Sequence, residues 1–146
     1  LAAAIASRPA PAVTCVHLPY VPQADFDKLL WCSDLAIVRG EDSFVRAQLA
    51  ALPFAWHAYP QADAVHMDKL AAFARLYTSA MEPVAAAAWT DFSEAWNRGD
   101  GIAHSWPAFC QALPAIRSHA SAWREKLAGI GSLTDSLSDF VADKLK

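Results

Sequence analysis

Val38-Arg39-Gly40-Glu41-Asp42-Ser43-Phe44-Val45-Arg46-Ala47-Gln48 is the stretch whose reading decides the fold of this chain. Before it runs Asp34-Leu35-Ala36-Ile37-Val38, a short apolar segment that reads as a buried strand. Gly40 permits a sharp turn. Phe44, Val45, Gln48 and Leu49 then recur at helical spacing, with Asp42 or Ser43 placed to cap the first turn. The unit is strand, tight turn, helix. In open α/β sheets ligands bind at such points, outside the carboxyl ends of the strands.

The chemistry of the turn is mixed. A helix N-terminus offers free N–H groups and partial positive charge, which suits a phosphate. Arg39 and the Ser43 hydroxyl would add donors. Glu41 and Asp42 would repel a phosphate beside them, and serve better as caps or as acceptors for sugar hydroxyls. Phosphate donors and hydroxyl acceptors in one turn suit a nucleotide-sugar. Read alone, a motif this short favours the plainer reading, Asp42 as a helix cap and Arg39 in a surface ion pair.

The chain has 146 residues, 55% of them hydrophobic and 18% charged, which fits one globular domain with a core of its own. Net charge is −3 and there is no basic run, so no nucleic-acid footprint is visible. No apolar stretch reaches membrane-spanning length, and there is no secretory signal. The chain opens Leu1-Ala2-Ala3-Ala4-Ile5 without an initiator Met, which reads as a piece of a longer protein. Cys15, Cys32 and Cys110 form no Cys-x-x-Cys pair. They read as buried structural thiols in a reducing cytoplasmic compartment, with neither a disulfide framework nor a zinc site. The five histidines lack metal spacing.

In chain order, residues 1–7 read as the end of an Ala-rich helix and 8–11 as a Pro-bearing linker. Residues 12–18 are β-branched and apolar, as a buried parallel strand would be. Residues 19–23 break it, and 25–31 read as a short helix capped by Asp25. Strand 34–38, the Gly40 turn, a helix to about Ala51 and a strand over 53–58 follow. Alternating strand and helix of this length predicts βαβ units and a parallel sheet. From Asp63 the pattern is helical. Met67, Leu70, Phe73, Ala74 and Tyr77 share one face, and Trp89, Phe92 and Trp96 another. The tryptophan stripe reads as core. Helices over 106–113 and 116–127 are separated near Pro114, and a last amphipathic helix carries Leu133, Leu137, Phe140, Val141 and Leu145. Three loops, 20–26, 39–43 and 59–61, should open on one sheet edge. Together they offer aromatics for stacking a base and polar groups for a phosphate and a sugar.

Leu18-Pro19-Tyr20-Val21-Pro22-Gln23, Asp25 to Cys32, the Val38 to Gln48 run, Pro53-Phe54-Ala55-Trp56-His57-Ala58-Tyr59-Pro60-Gln61, then His66 and Lys69-Leu70 together resemble one family. It is the bacterial protein-arginine rhamnosyltransferase that matures elongation factor P, the EarP type. The resemblance is dense over residues 18–77 and looser beyond. It implies a GT-B glycosyltransferase of two Rossmann-like domains facing a cleft. Residues 1–146 would be most of the C-terminal nucleotide-sugar-binding domain, a parallel sheet flanked by helices with a helical C-terminal region. The N-terminal domain, which supplies the Asp general base and much of the acceptor surface, would be absent.

The resemblance further implies an inverting transfer of L-rhamnose from dTDP-β-L-rhamnose to an arginine of elongation factor P, needing neither metal nor cofactor. By match to the family pattern, Tyr20 and Phe26 flank the thymine and Gln23 reads its edge. Arg39, Ser43 and Tyr59 contact the pyrophosphate. Glu41 and Asp42 take sugar hydroxyls or order the turn, with Glu41 placed to assist catalysis. Members often carry Trp, Gly and Val where Leu49, Ala51 and Ala55 stand, differences of packing. A chain of this kind would bind donor without transferring it. The residues alone leave open a GT-B enzyme with a UDP or GDP donor, or a non-catalytic interaction domain.

Overall fold

A parallel pair of short strands, β1 (Ala36–Arg39) and β2 (Phe54–His57), lies at the centre of the chain. The computed structural model describes residues 14–144. The register places Ala36 opposite Phe54 and Arg39 opposite His57, so both strands end side by side. Helix α1 (Gln23–Trp31) precedes β1, and α2 (Glu41–Leu49) makes the crossover between the strands. A 3-10 turn (Ala62–Ala64) leads into α3 (Val65–Tyr77), followed by α4 (Pro83–Arg98), α5 (Ile102–Ala128) and α6 (Leu133–Lys144).

The core forms where β2 meets the helices. Phe54, Tyr77, Trp89, Phe92 and Phe109 are fully buried. Each such side chain contributes roughly 1.5–3 kcal/mol of burial. The rings of Phe44, Phe54, Phe73, Tyr77, Trp89 and Trp123 touch one another across α2, β2, α3, α4 and α5. Trp89 Nε1 donates to the Phe54 carbonyl at 2.8 Å, which anchors α4 to β2. Asn97 closes the other end of that contact, donating to the Trp56 carbonyl at 2.7 Å and accepting from Ala58 N–H at 2.9 Å. The tryptophan stripe of α4 is therefore core, as its spacing implies. Helix α3 buries Leu70, Ala74 and Tyr77 on the face the sequence marks.

Several expectations are corrected. Among the described residues the sheet has two strands, not three. Thr14 to Leu18, the described part of the strand expected over 12–18, is irregular, with Val16 74% and Leu18 51% exposed. A β-branched apolar run states a preference for a pleated, half-buried surface, and only a neighbouring ladder turns that into a strand. The expected helix end at 1–7, the linker at 8–11 and Leu145 lie outside the described residues. The expected break at Pro114 is absent: α5 runs through both Pro107 and Pro114. Its buried face, Phe109, Ile116, Ala120 and Trp123, keeps helical phase across Pro114, and packing on α4 outweighs the lost N–H. Asp25 does not cap α1. Pro22 holds that position, and Asp25 accepts from Lys28 at 2.8 Å. Cys15 and Cys32 are exposed rather than buried, one in the irregular segment and one at the end of α1. Helix α6 buries none of its residues. No helix among the described residues is long and apolar enough to cross a membrane.

Candidate functional site

The turn between β1 and α2 is built around Gly40. Its φ of 81° and ψ of −172° lie in a region open essentially to glycine alone. A Cβ there would stand 3.1 Å from the Tyr59 ring, so Tyr59 lies directly against the turn. Trp56 Nε1 donates to the Gly40 carbonyl at 3.0 Å and ties the turn to β2. Gly40 is also the N-cap of α2, with Glu41, Asp42 and Ser43 inside the first turn. This corrects the expectation that Asp42 or Ser43 caps the helix. No side chain caps α2, so the amides of its first turn keep their hydrogen-bonding capacity and their partial positive charge.

Arg39, the last residue of β1, is exposed. Its guanidinium lies 4.9 Å from the centre of the Tyr59 ring, and it has no carboxylate partner among the described residues. A cation held on an aromatic face and left without a counter-ion is ready for an anion. Opposite it in register, His57 is held below the ordinary imidazole value by burial, then by the charge of Arg39, then by His66. His66 Nδ1 accepts from the Gln61 N–H at 3.3 Å. The carboxyl ends of both strands thus carry a cationic, aromatic surface.

The two carboxylates of the turn differ. Glu41 is exposed and makes no hydrogen bond or ion pair among the described residues. Asp42 is engaged: Arg46 Nε donates to its Oδ2 at 2.8 Å and Gln23 Nε2 at 3.1 Å. Those two donors, Arg46 first, hold the Asp42 carboxyl below the usual carboxylate range. Ser43 is half-buried, and its hydroxyl bonds no other group among the described residues.

The structure therefore brings Arg39, Gly40 and Tyr59 together at one place, with Glu41 and Ser43 in the adjoining helical turn. Gln23 joins them through Asp42. Tyr20, 95% exposed, and Phe26, half-buried against the core, make no ring contact with one another or with any other aromatic among the described residues. Sequence reasoning missed Trp56, whose role needs the tertiary position of Gly40. It also missed Arg46 and Asp27, although Asp42 and Arg46 at i, i+4 were a readable pairing signal. Among the described residues no three His, Cys, Asp or Glu side chains converge as a metal site would need.

The sequence model of the family described as elongation factor P (EF-P) rhamnosyltransferase EarP matches residues 2–142. A protein-arginine rhamnosyltransferase of Pseudomonas aeruginosa is 43% identical over 128 residues, covering 88% of this chain and 34% of that protein. One from Neisseria meningitidis is 42% identical over 139 residues, covering 92% of this chain and 36% of that protein. The chain thus spans about a third of the length of the curated relatives it matches. A solved structure reported as the structural basis for EarP-mediated arginine glycosylation of translation elongation factor EF-P superposes with a TM-score of 0.73. It is 38% identical, over 86% of this chain and 39% of that one. Sequence and fold agree over nearly the whole chain, which belongs to the EarP family of elongation factor P rhamnosyltransferases.

Proposed function

We propose that this chain is the donor-binding part of a protein-arginine rhamnosyltransferase. It holds dTDP-β-L-rhamnose while the sugar passes, with inversion, to an arginine of elongation factor P in the cytoplasm. In this reading the two-stranded sheet and its flanking helices belong to the second Rossmann-like half of a GT-B enzyme. The observation that carries the reading is the uncapped N-terminus of α2 with Arg39 poised on Tyr59 beside it. Family membership supplies the reaction class.

The chemistry follows from charge. As the anomeric bond breaks, negative charge collects on the leaving dTDP. The first-turn amides of α2, the Arg39 guanidinium and the Ser43 and Tyr59 hydroxyls are donors fixed before that charge develops. They supply this stabilisation without a metal or cofactor. Thymine lies at the α1 side, where Tyr20 and Phe26 offer ring faces and Gln23 an amide. Glu41, whose carboxylate has no partner among the described residues, takes a sugar hydroxyl. Asp42 orders the turn through Arg46. The acceptor arginine stays charged in water and is a poor nucleophile until a carboxylate orients and deprotonates it. That base belongs to the other half of the enzyme.

Calorimetric titration with dTDP, UDP and GDP tests the donor reading. dTDP is expected to bind most tightly. Tighter binding of UDP or GDP, or no binding at all, overturns it. Mass spectrometry of elongation factor P after incubation with dTDP-rhamnose tests the division of labour. The full-length enzyme should modify the arginine and this chain alone should not.

A further inference from the structure

Arg46 lies one helical turn beyond the Gly40 turn, and its guanidinium is shared between two helices. Its NH1 donates to both oxygens of Asp27 on α1 at 2.8 Å each. Its Nε donates to Asp42 on α2 at 2.8 Å. Gln23, four residues before Asp27 on α1, donates to the same Asp42 oxygen at 3.1 Å. One face of α1 is therefore stitched to one face of α2 by a single network. Among the described residues Arg46 alone bridges two carboxylates, and its side chain is three-quarters buried while the Arg39 residue is exposed. Of the other ion pairs, Lys28–Asp25 and Arg98–Glu94 each lie within one helix, and Arg117–Asp34 joins α5 to the segment before β1 through a single carboxylate.

The two helices it joins carry the two halves of the site. Tyr20, Gln23 and Phe26 stand at the start of α1, and Arg39 to Ser43 lead into α2. We propose that Arg46 is a positioning residue that sets the separation between the base subsite and the diphosphate subsite. It touches neither ligand half and acts through Asp27 and Asp42. The proposal rests on the nucleotide reading given above. A nucleoside diphosphate engages both subsites at once, so its affinity carries an effective-concentration advantage that depends on their spacing. Thymidine or pyrophosphate alone meets one subsite and is indifferent to that spacing. Arg is the residue type suited to this task. Its NH1 holds one carboxylate while Nε, a second nitrogen of the same rigid plane, holds another, a fixed spacing that the single nitrogen of an ammonium lacks.

The test compares whole ligand with halves. Asp27→Ala removes the Arg46 tie to α1 and one negative charge while leaving Arg46 and Gln23 on Asp42, and the pyrophosphate titration reads any effect of that charge. dTDP is expected to weaken about tenfold, while thymidine and pyrophosphate each stay within about twofold. Combining it with Arg46→Met should add much less than the two separate losses, since both remove one clamp. Titrations are run at a temperature where circular dichroism shows each variant folded. Arg46→Lys keeps a cation at Asp42 and supplies the same comparison should the Met variant fold poorly. Its dTDP loss should again exceed that of either half. Parallel weakening of dTDP, thymidine and pyrophosphate, or dTDP affinity unchanged in every variant, overturns the positioning role. A wild-type chain that binds no dTDP removes the nucleotide reading first, and the clamp proposal with it.

Discussion

At the residue scale the site depends on two residues that other residue types do not fully replace. Gly40 occupies backbone space that costs other residues of order 1–3 kcal/mol. A methyl group there also meets the Tyr59 ring at 3.1 Å. Gly40→Ala should therefore lower the free energy of unfolding in urea by about 1–3 kcal/mol and displace Tyr59, weakening dTDP more than thymidine. An unchanged urea midpoint would show that the turn adapts freely. Arg39 differs in kind. It is exposed and supports no ion pair among the described residues, so replacing it should barely alter stability. Arg39→Ala should weaken dTDP while sparing thymidine, because only dTDP carries the diphosphate. Arg39→Lys should restore part of the loss, since a point charge lacks the planar fork that stacks on Tyr59. Equal losses for both ligands, read by calorimetry, would move Arg39 away from the phosphates.

At the element scale the helix ends show where the sequence speaks plainly and where it does not. Helix α2 closes with Leu52 N–H on the Ala47 carbonyl at 3.3 Å and Ala51 N–H on the Gln48 carbonyl at 3.1 Å. That bonding pattern puts its pivot residue in left-handed space, and Ala51 sits there at φ 55°. Position 51 therefore answers to a backbone requirement, which favours glycine, rather than to the packing difference expected there from the sequence. Ala51→Gly should raise unfolding free energy by about 0.5–1 kcal/mol, the relief of left-handed strain less the added freedom of the unfolded chain. A lower midpoint in chemical denaturation would contradict this account. Helix α4 begins on Glu82, whose carboxylate accepts from Val84 N–H at 3.0 Å and Ala85 N–H at 2.9 Å. Those two bonds hold its carboxyl below the usual 4.5. A depressed carboxylate contributes stability above its unfolded value and loses it as pH falls through the folded one. Glu82→Ala should lower the thermal midpoint at neutral pH, and the gap from wild type should close in acid. A gap that persists below the folded value would assign the loss to something other than the charged cap. The helices were legible because apolar residues repeat at three and four along them, even in α6, which buries none of its own. The segment over 12–18 misled, because an apolar β-branched pattern says nothing about whether a neighbouring strand is present. Pro114 misled because a local breaker was weighed without the continuous buried face of α5.

At the scale of the whole molecule the site draws on residues about forty positions apart, and that distance sets what sequence can reveal. Arg39 to Ser43 was legible as a ligand turn because strand, glycine and helix are contiguous. Tyr59 was legible only through its place after the second strand. The clamp of Gln23, Asp27, Asp42 and Arg46 was hidden, since each half looks like an ordinary intrahelical pair until the two helices meet. A ligand that spans these parts should be felt by the fold as a whole. On the proposed reading dTDP should favour the native chain, in which α1, the Gly40 turn and Tyr59 are held together, over an unfolded chain with no such site. At a concentration one hundred times its dissociation constant, such a ligand adds about 2.7 kcal/mol of stability. In a domain of this size that raises the thermal midpoint by roughly 8 °C. Thymidine at the same concentration meets only the base subsite and should shift it far less. Differential scanning fluorimetry against ligand concentration reads both curves. The dTDP midpoint should keep rising with the logarithm of concentration, while thymidine lags behind it. Coincident curves for the two ligands would mean that the uncapped end of α2 and Arg39 contribute nothing to binding, and would withdraw the diphosphate from the Gly40 turn.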